Sequence, residues 1–239
     1  MVQACLNGGR HIGECPNVPL TPAALANDAI AAARAGATSF HVHPRDAQGA
    51  ETLHPDDVAA ALTAIRTAAP GLPTGIGTGE WIAPGGTARH APIRQWQVLP
   101  DYVSLNIGEA DAPKLAKLLQ SKNIPIEAGL WCLADAHRYL AEIDSTACLR
   151  ILIEMPDTDP ATALAEADAI LDLLQKANKL PILLHGTGQS AWPCLSRAAA
   201  LGLASRVGFE DMLHLPNGQP APDNAALITA ALAQEPGLT

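Results

Sequence analysis

The sequence is poor in basic residues. It holds 15 lysines and arginines against 24 aspartates and glutamates, which gives a formal net charge of −9 and an isoelectric point near 5.2. A protein with this balance is repelled by nucleic acid and by anionic membrane surfaces. Both classes of partner are therefore disfavoured, although a local basic pocket for a small anion stays compatible with the composition.

Signals for secretion and for membrane insertion are also missing. The N-terminal segment MVQACLNGG has neither a basic part nor a long apolar part, and polar residues interrupt every apolar run well short of a membrane span. The five cysteines are odd in number, scattered and without CxxC spacing. Because this pattern is typical of reduced thiols, we expect a cytoplasmic protein.

Strand-like apolar runs alternate with alanine-rich helical patterns along the whole chain. Eight such pairs can be counted, from VQACLNG followed by TPAALANDAIAAARAG to SRVGFEDM followed by DNAALITAALAQ. Thr21 and Pro22 mark the start of the first helix, and Pro55 with two following aspartates marks the second. The third pair contains the looser stretch TARHAPIRQWQ, whose helix is the least well defined.

Eight strand–helix pairs without a Ser-rich, Gly-rich or charged linker predict a single domain over residues 1–239. The hydrophobic fraction of 48% with 16% charged residues is that of a compact protein. Alternating βα units form parallel sheets, and eight of them predict a closed TIM (β/α)8 barrel. A doubly wound open sheet is the main alternative, because periodicity alone does not show closure.

The predicted barrel has an unusually polar interior near its mouth. Alternate residues of each strand face inward, and the active site of such a barrel lies at the C-terminal ends of the strands. The inward polar residues assigned by this parity are Asn7, His41, His43, Thr78, Ser104, Asn106, Glu127, Glu154, His185, Arg206 and Glu210. Because buried polar groups are costly unless they pair, bind metal or line a wet cavity, the pattern predicts an enzyme.

The segment TSFHVHPRD places two histidines one residue apart in a predicted strand. His41 and His43 therefore point to the same face of the strand. Two histidines on one face are often part of a metal site. Glu210 can reach them across the barrel mouth, because strand eight closes next to strand one. Two histidines, one carboxylate and an open position are the usual layout of a catalytic zinc site. The alternative is a pair of hydrogen-bonded interior histidines without a metal.

Three separate stretches of the chain resemble the β-keto acid cleavage enzyme family. They are CLNGGRHIGECPNVPLTPAALA at 5–26, FHVHPRD at 40–46 and RVGFEDM at 206–212, and the resemblance extends over most of the chain. It implies a zinc-dependent TIM barrel, usually a homotetramer. Such an enzyme condenses a small β-keto acid with acetyl-CoA and releases acetoacetate and a new acyl-CoA.

The same resemblance implies that one zinc ion per chain is bound by His41, His43 and Glu210. It also implies that Asp211 is the base and that Arg206 orients it. The substrate contacts that it implies are Glu14, Thr78 and Asn106. Adjacent residues of an extended strand turn to opposite faces. For Glu210 and Asp211 to serve one site, we expect the last strand to end or bend at Glu210.

The chain departs from the family in its length and in its loops. Most characterised members are some tens of residues longer, and the loops around residues 79–100 and after strand five look short here. These regions help to define the acyl and coenzyme A pockets of the family. The resemblance therefore leaves open which β-keto acid is the substrate.

Two other functions stay open at the level of the sequence. One is a zinc-dependent lyase or hydrolase on a TIM barrel without coenzyme A. Amidohydrolase barrels also use a His-x-His pair, but theirs lies on the first strand, and no lysine ends strand four here. The other is a catalytically silent barrel that binds a small carboxylic acid. A metal site beside a candidate base argues against this second alternative.

Overall fold

Strands and helices alternate along the chain in the computed structural model, which describes residues 1–177 and 179–234. The strands, eight within these residues, are β1 (Val2–Cys5), β2 (Ser39–Val42), β3 (Thr74–Gly77), β4 (Tyr102–Asn106), β5 (Ile126–Leu130), β6 (Cys148–Met155), β7 (Ile182–Gly186) and β8 (Ser205–Val207). The α-helices that follow them are α1 (Pro22–Ala35), α2 (Pro55–Ala68), α3 (His90–Gln95), α4 (Ala112–Ser121), α5 (Leu133–Glu142), α6 (Pro160–Gln175), α7 (Ala191–Ala200) and α8 (Asn224–Gln234). The predicted domain of residues 1–239 also includes residues 178 and 235–239, which lie outside the described part of the chain.

All eight strands belong to one parallel sheet. Neighbours in the chain pair with each other from β1 to β7, and β8 pairs with the other edge of β1. Between β7 and β8 the Leu184 N–H donates to Ala204 O at 3.0 Å, so the sheet is nearly closed. The predicted TIM (β/α)8 barrel is confirmed. The doubly wound alternative is wrong, because its strand order would reverse in the middle of the sheet.

Local sequence signals set the ends of the helices. The Oγ1 atom of Thr21 accepts a hydrogen bond from the Ala24 N–H at 3.1 Å, and Pro22 follows as the first helical residue of α1. The looser third unit forms only the six-residue α3 after a 3-10 turn at Gly86–Arg89. Among residues 1–177 and 179–234, no helix has the length and apolar composition that a membrane crossing requires.

An apolar layer between strands and helices fixes which side chains enter the barrel. Phe40 and Val42 flank His41 on β2 and are fully buried, as is Leu62 of α2. A shift of β2 by one residue would expose this apolar set to the barrel interior and turn His41 and His43 away from it. The register of β2 is therefore held by packing on the outer face.

A polar layer fills the barrel below the mouth. The Gln3 amide on β1 donates to Tyr102 Oη on β4 at 2.6 Å, and Arg150 Nε on β6 donates to Glu127 Oε1 on β5 at 2.5 Å. Because β1 and β4 are not neighbours in the sheet, the first of these bonds crosses the interior. Glu127 is the second residue of β5, so the prediction that it ends its strand near the mouth is wrong. Its inward orientation was predicted correctly.

Removal of the Glu127 carboxylate should destabilise the barrel strongly. The side chains of Glu127 and Arg150 are 0% and 8% exposed, so Glu127→Ala leaves a buried guanidinium without its partner. Loss of one partner of a buried ion pair costs about 3–5 kcal/mol, and we expect the free energy of unfolding in urea to fall by about this amount. The matched variant Glu127→Met/Arg150→Met removes both charges and should recover most of the loss. An equal loss in both variants would contradict the ion-pair explanation.

Candidate active site

His41 and His43 enter the barrel mouth from the end of β2, and both are buried. Asn7, which follows β1, holds the chain next to them. Its Oδ1 accepts from the His43 N–H at 2.8 Å, and its Nδ2 donates to His43 O at 2.8 Å. Two hydrogen bonds to the backbone of one residue fix where the chain leaves β2. His41 and His43 both line the cavity at the mouth, as their predicted inward orientation requires, whereas Asn7 does not line it.

The chain turns sharply directly after β8. The Asp211 N–H donates to Gly208 O at 2.9 Å, so the turn begins two residues earlier than the predicted bend at Glu210. A Cβ at Gly208 would overlap the backbone of Cys5, so a residue without a side chain is needed for this turn to pack against β1. The turn brings Glu210 and Asp211 to one site, as their proposed roles require.

Three possible ligand atoms converge at the mouth. His41 Nε2 and His43 Nε2 are 3.1 Å apart, and the Glu210 carboxylate lies 3.5 Å from the first and 3.6 Å from the second. In a tetrahedral zinc site with bonds of about 2.0–2.1 Å, neighbouring ligand atoms are roughly 3.3 Å apart. The Oε2 atom of Glu210 is buried and makes no hydrogen bond. The spacing and the donor types therefore fit a divalent cation.

Backbone packs closely against two of these side chains, those of His43 and Glu210. A Cβ on Gly77 of β3 would overlap the imidazole of His43. A Cβ on Gly8 would overlap the side chain of Glu210, and the positive φ of +51° at this residue also favours glycine. The ligand positions are therefore restricted by main chain, which moves less readily than side chains.

Glu51 contacts the outer nitrogen of the His43 ring, Nδ1, through its Oε1 atom. Trp81 Nε1 donates to Glu51 Oε2 at 3.2 Å and so holds the carboxylate. A carboxylate at the outer nitrogen fixes the tautomer that leaves Nε2 free for a metal. Glu51 is not among the residues predicted from the sequence, because it lies in an irregular loop after β2 where no periodicity marks a functional position. An acidic residue shortly after the His-x-His pair was the available signal.

Replacement of Glu51 by glutamine should weaken zinc binding by about 10- to 100-fold. The glutamine retains the size of the side chain but removes the charge that orients His43 and makes its ring more basic. Competition with a chromophoric chelator measures the zinc affinity of the metal-free proteins. Glu14→Gln, which changes an acid outside the ligand set, is the matched control. Equal affinities of Glu51→Gln and the parent would contradict the role of Glu51.

Burial and charge act in opposite directions on the protonation of the ligands. Burial lowers the pKa of His41 to about 4. Burial acts in the same direction on His43, but Glu210 and Glu51 raise the pKa of His43 to about 9. Burial alone would raise the pKa of Glu210, whereas Arg206 and the two histidines hold it well below its usual range. A metal that binds here therefore displaces a proton from His43.

Arg206, buried on β8, connects Glu210 to Asp211. Its Nη2 donates to Glu210 Oε1 and to Asp211 Oδ1, each at 2.8 Å. His185 on β7 lies 3.5 Å from Asp211 Oδ1 through Nδ1 and 3.3 Å from Glu154 Oε2 through Nε2. The Oδ2 atom of Asp211 is buried and makes no hydrogen bond, and burial raises the pKa of Asp211 although Arg206 acts against it. A carboxylate with one unpaired oxygen and a raised pKa is suited to accept a proton.

A cavity of about 290 Å³ opens beside the three ligands. Its lining includes five of the predicted site residues, namely His41, His43, Asn106, Arg206 and Glu210. Asp211, Glu14 and Thr78 do not line it. Glu14 lies at the surface 3.6 Å from Arg10, and the Thr78 hydroxyl donates to Ser104 O at 2.6 Å. The substrate contacts assigned to Glu14, Thr78 and Asn106 stay predictions.

Comparison with known proteins identifies sequence relatives over nearly the full chain. Residues 1–236 match the family model described as beta-keto acid cleavage enzyme. The 3-oxoadipate:acetyl-CoA acetyltransferase of Cupriavidus necator is 27% identical, with 99% of this chain and 91% of that protein aligned. The 3-keto-5-aminohexanoate cleavage enzyme of Acetoanaerobium sticklandii is 22% identical, with 93% of this chain and 86% of that protein aligned.

Solved structures share the barrel. The apo structure of ObcA superposes with a TM-score of 0.71 at 18% identity, over 92% of this chain and 62% of that chain. The ternary complex of ObcA with a C4-CoA adduct and oxalate gives a TM-score of 0.72 at 18% identity, over 93% of this chain and 64% of that chain. The chain therefore spans less than two thirds of the length of these structures, and at this identity the likeness concerns the fold.

Proposed function

Because the chain belongs to the β-keto acid cleavage enzyme family, we propose that it is a zinc-dependent acyltransferase acting on a small β-keto acid and acetyl-CoA. The products are acetoacetate and a new acyl-CoA. The observation that carries the proposal is the convergence of His41, His43 and Glu210 beside the Arg206–Asp211 pair in one cavity. The name of the Cupriavidus necator relative and the C4-CoA adduct bound to ObcA support acetyl-CoA as the second substrate.

Different residues around the cavity hold the metal ion, remove the proton and orient the base. A zinc ion held by His41, His43 and Glu210 would polarise the keto and carboxylate oxygens of the acid. Asp211 then takes a proton from the carbon between these two groups through Oδ2, its unpaired oxygen. Arg206 keeps the other Asp211 oxygen in place and so orients the base.

Arg206 links the base to the cavity. Arg206 lines the cavity, whereas Asp211 does not. Its bonds to Glu210 and Asp211 hold the guanidinium at the cavity wall. A guanidinium forms strong charge-assisted hydrogen bonds with carboxylates. The carboxylate of a bound acid is therefore bound by Arg206 while the bond to Asp211 is retained, and this brings the acid beside the base.

The resemblance to the family supports a proposal for the oligomeric state, and the cysteine pattern supports one for the cellular location. We propose a homotetramer in the cytoplasm. The five cysteines are all free, which suits a reducing compartment. Light scattering coupled to size-exclusion chromatography measures the oligomeric state directly, and a monomer at micromolar concentration would contradict the tetramer.

The test of the function is an assay of the zinc-loaded protein with a broad panel of β-keto acids and acetyl-CoA. Acetoacetate that forms only in the presence of acetyl-CoA supports the proposal. Product that forms without acetyl-CoA would instead favour a zinc-dependent lyase or hydrolase. Thermal stabilisation by a carboxylic acid without any product would favour a silent binding barrel. Absence of CoA-dependent turnover across the panel contradicts the proposal.

A further inference from the structure

A second cavity, of about 270 Å³, adjoins the cavity beside the metal ligands. Both cavities are lined by Trp81, Asn106 and Trp131, so the second one extends the first away from the ligands. We call the second one the outer cavity. Its other lining residues are Glu80, Gly108, Glu109 and Asp135.

Two tryptophans form the aromatic part of the outer cavity. Trp81 is 54% exposed and Trp131 is 41% exposed, although both lie at the barrel mouth where loops could cover them. Trp81 is held at its indole nitrogen by Glu51, and its ring lies so close to Gly79 that a Cβ there would overlap it. The indole of Trp81 is thus held in position while about half of the residue's surface is exposed. The face of an indole ring attracts cations more strongly than other aromatic side chains do.

The charged groups that line the outer cavity are all acidic. They are the carboxylates of Glu80, Glu109 and Asp135, and this lining contains no lysine, arginine or histidine. Asp135 is held in place because its Oδ2 accepts from the Trp131 N–H at 2.9 Å. The side chain of Glu80 is exposed toward solvent.

Only one of these three carboxylates is paired with a cation behind the cavity wall. Arg89 lies 2.5 Å from Glu109 Oε2 and 2.8 Å from Asp111 Oδ1, so one guanidinium serves two carboxylates. His90 Nε2 contacts the other Asp111 oxygen at 2.7 Å. Arg138 donates to main-chain carbonyls of the loop after β4 and pairs with Glu142 at 3.0 Å. The negative charges of Glu80 and Asp135 are left without a cationic partner among these groups.

We propose that the outer cavity receives the side chain of the β-keto acid and selects acids that end in a cationic group, such as a quaternary ammonium. The inference rests on the proposed function, because the keto end of the acid must lie at the metal ligands. Asn106 lines both cavities and donates to Glu109 Oε1 at 3.0 Å, so it marks the path between them. A terminal carboxylate would meet like charges there, and a neutral alkyl end would gain neither the indole faces nor the carboxylates.

The test compares three acids of equal chain length in the absence of acetyl-CoA, so that binding is measured without turnover. The acids are 6-trimethylammonio-3-oxohexanoate, 3-oxohexanoate and 3-oxoadipate. Calorimetric titration of the zinc-loaded protein should give a dissociation constant for the cationic acid at least about tenfold below that of the neutral acid. The dissociation constant of 3-oxoadipate should be the highest. Equal or inverted affinities overturn the proposal.

Variants of Glu80 and Asp135 test whether their carboxylates cause the preference for the cationic acid. In Glu80→Gln/Asp135→Asn the preference for the cationic over the neutral acid should fall at least about threefold, because the carboxylates are lost and only the indole faces remain. Glu80→Gln alone changes an exposed side chain, preserves the hydrogen bond to Trp131 and should lose part of the preference. Asp172→Asn, an exposed acid on α6, is the matched control and should retain it. A full preference in the double variant overturns the proposal.

A parallel assay with acetyl-CoA tests the proposed acyl transfer separately from the cation preference of the outer cavity. Turnover of the neutral acid without any preference for the cationic one contradicts the outer cavity as a cation site and leaves the proposed function intact. A tenfold binding preference without turnover of any acid supports the outer cavity as a cation site and contradicts the acyl transfer.

Discussion

Replacement of Asp211 by asparagine should lower CoA-dependent turnover by about 10²- to 10⁴-fold, the range that a positioned general base contributes. Asparagine has nearly the shape of aspartate and can still accept the 2.8 Å hydrogen bond from Arg206, so the site should stay assembled. It has no oxygen that accepts a proton from carbon at neutral pH. Initial rates of acetoacetate formation under saturating acid and acetyl-CoA measure the effect.

Glu154→Gln is the matched control for this experiment. Glu154 is also a carboxylate near Arg206 and His185, and unlike Asp211 it lines the cavity. If Asp211 is the base, the loss in Glu154→Gln is smaller, and the zinc content of both variants equals that of the parent. A larger loss in Glu154→Gln than in Asp211→Asn would assign proton removal to Glu154 instead.

The variant His41→Ala/His43→Ala should contain no zinc, whereas the parent purified without added metal should contain about one zinc per chain. It removes two of the three ligand atoms, and a single carboxylate does not hold zinc against buffer. Plasma mass spectrometry measures the metal directly. The parent should also lose stability on dialysis against a chelator, by about 2.7 kcal/mol if zinc had been present at 100 times its dissociation constant.

His185→Ala is the control for the histidine experiment. His185 is as deeply buried as His41, but it contacts Asp211 and Glu154 and is not among the converging ligand atoms. Its replacement should preserve the zinc content. Absence of stoichiometric metal from the parent, together with an unchanged fold of the double variant, would mean that the two histidines are structural.

The sequence was sufficient to predict the barrel and the three side chains that converge at its mouth. The repeat of apolar and alanine-rich segments determines a parallel sheet, and side-chain parity places His41 and His43 on one face because the period of a strand is two. Parity does not show how deep a residue lies, and for this reason Glu127 was placed near the mouth instead of in the layer below it. The start of the turn at Gly208 was also missed by two residues, because it depends on a close approach to β1 that no local pattern reveals.

The outer cavity could not be predicted from the sequence either, because it also depends on contacts between distant parts of the chain. Trp81 follows β3, Asn106 ends β4 and Trp131 follows β5, so the three residues lie at the ends of three different strands. They meet only because the three strands are neighbours in a curved sheet and their loops converge. Glu51 is similar, because its contact with His43 depends on an irregular loop that folds back through the bridge between Arg45 and Glu51. Such contacts are set by tertiary structure and leave no periodic signal.

The position of the ligands along the chain has a consequence for biogenesis. His41 lies on the second strand and His43 directly follows it, while Glu210 follows the last strand, so the three side chains converge only when β8 pairs with β1. Contacts of such long sequence separation form late, because the entropy of closing a long loop must be overcome first. A nascent chain that lacks its final strand therefore offers only a two-histidine half-site. A zinc ion bound there, as proposed, would join the first and last quarters of the chain, and its uptake would mark the completion of folding.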